Sequence, residues 1–373
     1  MSGALTFSPA RYARSSRLVA YLTVAYLLLM VYASLYPFSG WRLPNDEATR
    51  FLFSGWPSYI VASDVVLNLF AYVPLGLMLT LLWMGRVPRW VAVTLAVVAG
   101  ALLSLSIEFA QAYLPTRISS NVDVLTNSIG ALWGAALAHT WGERWLLSGE
   151  LHRLREIHFR SGARSDLAFL LLALWLLTQL NAEIWLFGNG DLRNLVAGRF
   201  VLRYSADAYL ILEAGVAALN FAGVAFMICA IARSFAAAAA AVMALVLSAL
   251  VLKTIASMVL FVPGNPGLWL TPGSVLGLLV GVMLWLPLAR LSAVNALRAA
   301  ALSFAAAALI VNIAPENPYL VAALQVLQHG QYLRFNSMIG LLSSLWPFLV
   351  FAYLAYVLRS DDPTHHDDGR SAS

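Results

Sequence analysis

The chain has 373 residues, of which 61% are hydrophobic and 11% charged, and its mean hydropathy is +0.78. Soluble domains carry about 25% charged residues, so this balance excludes an ordinary soluble fold and points to repeated membrane crossings. The net charge of +5 is not a nucleic-acid footprint, because the arginines are scattered over short loops where the positive-inside rule acts, and the single cysteine, Cys229, excludes an intrachain disulfide and a cysteine-based metal site.

The N-terminal tail carries Arg11, Arg14 and Arg17, and Leu18 to Tyr36 follows as a first apolar run. This run is longer than a secretory-signal core of about 7–15 residues and reads as an uncleaved span. Residues 37–60 form a loop with Pro, Trp and Asn. Spans are then expected at 62–84, 90–113 and 123–142, joined by the basic turn around Arg86 and Arg89 and by a short loop with Pro115 and Arg117.

Residues 143–165 are polar and basic, and Leu151, Leu154, Ile157 and His158 fall at helical spacing, which predicts a surface amphipathic helix. Six further spans are expected at 166–187, 207–232, 235–261, 272–290, 299–314 and 336–358. The fold class is thus all-α, a polytopic membrane protein of about ten transmembrane helices. Its expected parts are a four-helix membrane domain at 1–147, a basic linker at 148–165, a second membrane domain at 166–359 and a disordered tail at 360–373.

Arginine sets the orientation. With the N-terminus inside, fifteen arginines fall in inside segments and seven in outside ones, which places both termini in the cytoplasm. Arg193, Arg199 and Arg203 oppose this bias locally.

Polar residues interrupt these spans in one region. Asp64 and Asn68 open the second span, Glu108 and Gln111 close the third, Arg117 lies in the following loop, and Asp123 and Asn127 open the fourth. In that topology all seven share one end of the bundle. Asn68 and Asn127 lie about 6 Å, and Glu108 about 7 Å, from their spans' outer ends. Asp64/Asn68 and Asp123/Asn127 are i, i+4 pairs and Glu108/Gln111 an i, i+3 pair, so each pair shares a helix face. Three helices can therefore direct carboxylates and carboxamides into one outward-facing pocket.

Simpler roles compete. Asp64 and Asp123 each begin a helix, where a carboxylate accepts free N–H groups and meets the positive end of the dipole. The buried amides can serve as interhelical hydrogen-bond glue, and Arg117 can be the ion-pair partner of Glu108 or Asp123. Gly130 and Gly134 form a G-x-x-x-G contact motif, and Pro74 predicts a kink and frees the carbonyl of Phe70.

D-V-V-L-N-L-F-A-Y-V-P-L-G at 64–76, E-F-A-Q at 108–111 and R-I-S-S-N-V-D-V-L-T-N-S-I-G-A-L-W-G at 117–134 resemble the VanZ-like family. That family's pattern is an Asp, a His or Asn and Pro-Leu-Gly on one span. Glu and Gln follow near the end of the next span, and Arg, Asp, Asn and Gly lie around the fourth. Asp64, Asn68, Pro74, Gly76, Glu108, Gln111, Arg117, Asp123, Asn127 and Gly130 fall at matching places. Asn68 stands where some members carry His, and six further spans exceed the family's minimal unit. The resemblance implies a bacterial inner-membrane protein of the cell envelope, in a family whose founding member is associated with low-level resistance to teicoplanin.

In the second half, Gly273, Gly277 and Gly281 make a glycine stripe suited to helix contact, and Glu213 and Lys253 both lie within spans and can pair. Three functional readings stand at this point. One is a pocket for an amphiphilic envelope molecule such as a lipid-linked glycan, a cell-wall precursor or a glycopeptide. Another is an enzyme on a lipid-linked phosphate or glycan. The third is a scaffold in which the cluster is helix glue. No nucleophile motif or His-rich metal site accompanies the cluster, and the expected partners are the lipid bilayer and such a ligand, with no cofactor and no metal.

Overall fold

A computed structural model describes residues 9–44, 48–53, 55–56, 62–84, 86–147, 150–181, 184–193, 202–258, 266–315 and 330–360. The expected disordered tail beyond Ser360 lies outside these residues. The regular structure of the described residues is helical. The chain divides into two compact units, Met1–Glu156 and Ile157–Ser373.

The first unit contains α1 (Pro9–Leu35), α2 (Ala62–Trp83), α3 (Arg89–Gln111) and α4 (Asn121–Leu137). A π-helical stretch, Ala138–Leu147, prolongs α4. Helix α2 runs on through Pro74, which has no N–H to offer the Phe70 carbonyl. One residue along, the Ala71 carbonyl accepts a 2.7 Å hydrogen bond from Tyr26 of α1.

Helices α2 and α4 meet backbone to backbone. A Cβ added at Gly134 would lie 1.9 Å from the Val73 carbonyl oxygen, at Gly130 2.2 Å from that of Leu69, and at Gly76 2.0 Å from that of Ala131. The G-x-x-x-G stripe is therefore a contact surface, as its spacing predicts. Tyr72, Leu75, Leu79, Ala96, Ala131 and Ala135 form the core beside it, and Met30 of α1 closes one side.

Helix α5 (Glu150–His158) follows, with Leu154 and Ile157 exposed on its surface. The second unit contains α6 (Ala163–Thr178), α7 (Ala206–Ile231), α8 (Phe235–Ala256), α9 (Pro272–Leu288), α10 (Ala293–Ile313) and α11 (Gly330–Ser360). Helix α7 is apolar around its whole circumference and buried over most of its length, the pattern of a central helix. Gly277 and Gly281 of α9 press against the backbone of Ala214 and Ala218 on α7.

Seven of the described helices are long and apolar enough to cross a membrane: those at Arg17–Leu35, Asp64–Trp83, Arg89–Gln111, Ala206–Ile231, Phe235–Ala256, Ala293–Ile313 and Met338–Ser360. Helices α6 and α9, with 16 and 17 residues, are shorter than the about 20 of a typical crossing, and α4, with 17, reaches that length only with its π-helical continuation.

Helix α6 ends at Thr178 rather than reaching 187 as the apolar run predicts. The Thr178 hydroxyl and the Gln179 amide both turn back onto the Trp175 carbonyl, and the chain leaves the helix there. Residues 186–190 are buried without being helical, and Phe187 takes a positive φ of 61°. Irregular backbone at membrane depth is tolerated only where protein satisfies it. Here Asn312 bonds Gly190 and Leu192, Ser343 bonds Asn189 and Gly190, and Lys253 bonds Asn181 and Ile184.

Glu213 and Lys253 do not pair. Glu213 accepts from the Thr271 hydroxyl at 2.7 Å, at the N-terminus of α9, while the Lys253 ammonium is held by two backbone carbonyls. Arg193, which opposes the positive-inside bias, forms a 2.6 Å ion pair with Asp191.

Candidate functional site

The polar residues of the first unit gather where α1 and α3 end and α2 and α4 begin. Their placement starts with the first turn of α4. Ser120 is its N-cap, and its hydroxyl accepts from Val122 N–H at 3.2 Å. Asp123 stands three residues on, where a capping-box carboxylate would reach back to the cap's own N–H. That N–H is already taken: it donates to Glu108 Oε2 at 2.9 Å. The Ser119 hydroxyl adds a 2.6 Å bond to the Glu108 carbonyl. Glu108 of α3 thus caps α4, and Asp123 is released for another contact.

That contact is with α2. Asn68 stands within side-chain reach of Asp123, and the Asp64 carboxylate lies close enough to repel it. Asp64, Asn68 and Asp123 are all half-buried. Glu108 is 3% exposed and lies within the electrostatic reach of Asp123 and Arg117. Three carboxylates and one guanidinium therefore share one end of the unit.

Gln111 and Arg117 serve α1. Gln111 Nε2 donates to the Ser34 carbonyl at 2.9 Å, and Arg117 Nη2 donates to the carbonyls of Ala33 at 2.7 Å and Tyr36 at 3.2 Å. The last carbonyls of a helix have no partner within it, and these side chains supply one. Asn127 lies deeper, its Nδ2 donating to Ser104 Oγ at 2.9 Å.

The structure therefore brings Asp64, Asn68 and Asp123 together, with Glu108 beside them. It turns Gln111 and Arg117 to the end of α1 and Asn127 to α3. Tyr72 and Ser104 belong to the same polar line, although sequence reasoning does not single them out. Their signal is helical spacing: Tyr72 is four residues past Asn68, and Ser104 four before Glu108. Among the described residues, no group of three or more His, Cys, Asp or Glu converges in a way that could hold a metal ion.

Helices of this length and apolarity make the chain a multi-pass membrane protein. The VanZ/LLP1 family model matches residues 5–142, so the N-terminal part of the chain, which holds this whole polar cluster, is VanZ-like. No curated protein and no solved structure matches the chain.

Proposed function

We propose that this is a bacterial inner-membrane protein of the cell envelope whose Asp64, Asn68 and Asp123 bind the polar head of an amphiphilic envelope molecule. A lipid-linked glycan, a cell-wall precursor or a glycopeptide has the required form. With both termini in the cytoplasm, as the arginine distribution favours, the trio faces away from the cytosol. The VanZ-like domain at 1–147 carries the binding role, the basic segment 148–165 links it to a second membrane domain at 166–359, and loss of the protein alters glycopeptide susceptibility.

The observation that supports this reading is the approach of Asn68 to Asp123, with Asp64 beside them, on two helices that meet backbone to backbone. Carboxylate oxygens accept from sugar hydroxyls and peptide amides, and a carboxamide both gives and accepts. The contacts of Glu108, Gln111 and Arg117 with backbone groups favour a supporting role for those three.

Photo-crosslinking tests the proposal. The full chain in lipid nanodiscs is exposed to a photoactivatable polyprenyl-phosphate-linked hexose. Asp64→Asn/Asp123→Asn, which preserves side-chain shape, is expected to lose most of the labelling. Equal labelling of wild type and variant overturns the proposal.

A further inference from the structure

The polar line does not stop at the trio. One turn deeper on each helix stands another polar residue: Tyr72 below Asn68, Ser104 below Glu108 and Asn127 below Asp123. All three are buried, Ser104 completely, Tyr72 at 4% exposure and Asn127 at 5%. Asn127 spends its Nδ2 on Ser104 Oγ. The Tyr72 hydroxyl lies beside that of Ser104 and within the electrostatic reach of Glu108, but at a geometry short of a hydrogen bond.

Two buried atoms, Tyr72 Oη and Asn127 Oδ1, thus find no hydrogen-bond partner among the described residues. Native interiors rarely leave such groups bare, and two orphaned atoms on side chains that both stand at Ser104 mark an occupant. Below them the line ends. Leu75, Leu79, Ala96, Ala131 and Ala135 are apolar and buried, and Gly134 brings α4 onto the α2 backbone. The polar line is a dead end.

Its chemistry selects what fills it. Asn127 Oδ1 can only accept, while Tyr72 Oη can give and accept. A phosphate or carboxylate oxygen only accepts, so it would leave Asn127 Oδ1 unpaired. A hydroxyl oxygen serves both: it gives its proton to Asn127 and takes that of Tyr72.

We infer that Tyr72, Ser104 and Asn127 form the blind end of the binding site, a subsite for one hydroxyl of a sugar or polyol head group, so that this unit holds its ligand and does not conduct it. The inference rests on the trio of Asp64, Asn68 and Asp123 binding that same head group.

The experiment uses the full chain in nanodiscs and two probes, a polyprenyl phosphate and the same lipid carrying a hexose. Tyr72→Phe removes one orphaned oxygen and keeps the ring. It is expected to leave the melting temperature of the ligand-free protein unchanged or raised, and to weaken the hexose-bearing probe about 2- to 10-fold, the worth of one neutral hydrogen bond, with no change for the bare phosphate. Equal weakening of both probes, or none, overturns the subsite, because the two oxygens then meet only water. A large drop in the ligand-free melting temperature also overturns it, since the hydroxyl is then a structural group. Asp123→Asn separates the two proposals: if it weakens the hexose-bearing probe and Tyr72→Phe does not, the trio binds without this subsite. If Asp123→Asn changes nothing, the trio's own role fails.

Discussion

Glu108 Oε2 accepts the backbone N–H of Ser120 at 2.9 Å, so a carboxylate on α3 completes the N-terminal cap of α4. In a capping box that bond comes from the helix's own third residue. Here the third residue is Asp123, and the exchange of roles leaves its carboxylate to Asn68. One interhelical hydrogen bond therefore fixes the α3–α4 connection and supplies the site with its carboxylate.

Removing the Glu108 carboxylate tests this division of labour. Glu108→Ala strands a buried N–H and is expected to cost about 1–3 kcal/mol, read as a lower apparent melting temperature of the detergent-solubilised protein. Glu108→Gln keeps an acceptor oxygen and should retain most of the stability. If Gln proves as damaging as Ala, the charge rather than the cap is what the fold requires.

The close approach of α2 and α4 makes a sharper prediction. A methyl at Gly134 would stand 1.9 Å from the Val73 carbonyl oxygen, and backbone on both sides leaves no flexible side chain to give way. Gly134→Ala should cost about 1–3 kcal/mol or more through overpacking and should lower the yield of folded protein. Gly55 is exposed, and a methyl added there would meet nothing within 4 Å, so Gly55→Ala should stay within about 0.5 kcal/mol of wild type. Thermal unfolding of the two variants side by side decides the matter.

Much of this architecture is legible in the residues themselves. Apolar runs locate the helices, because burial of a hydrogen-bonded backbone in lipid leaves few alternatives to a helix. The spacing of Gly130 and Gly134 identifies a contact face, and the i, i+4 pairs place Asp64 with Asn68 and Asp123 with Asn127. Spacing says which face a side chain occupies; it does not say what the neighbouring helix presents at the same depth. That is why the capping of α4 by Glu108, and of the end of α1 by Gln111 and Arg117, does not follow from spacing. The length of α6 is illegible for a related reason. The apolar run continues past Thr178, but Thr178 and Gln179 turn back on the Trp175 carbonyl, and side chains remote in sequence, Lys253, Asn312 and Ser343, satisfy the chain that leaves the helix.

Arg117 offers a test of capping from outside a helix. Its Nη2 alone bonds two carbonyls, Ala33 and Tyr36, at the end of a side chain that a lysine falls about one bond short of matching. Arg117→Lys should therefore loosen the end of α1 although charge is kept. Hydrogen exchange at the amides of Tyr32 to Tyr36 is expected to quicken in Arg117→Lys and in Gln111→Ala, with the rest of α1 unaffected. Unchanged exchange would show that α1 holds its own terminus.

Lys253 provides the corresponding test in the second unit. It is 2% exposed in the last turn of an apolar helix, and its ammonium donates to the carbonyls of Asn181 and, at 2.7 Å, Ile184. A cation so placed is costly, but the non-helical chain after α6 presents carbonyls that would otherwise be bare in a medium without water. Lys253→Met removes the cost and strands both carbonyls. The second effect should dominate, because two unmet acceptors cost about 1–3 kcal/mol each and the methionine can only pack against them. The predicted outcome is a lower apparent melting temperature together with faster hydrogen exchange across 184–192, while α7 and α9, which pack through their own glycine contacts, stay protected. A Lys253→Met protein of wild-type or greater stability, with that segment still protected, would show that the chain after α6 is held by Asn312 and Ser343 alone.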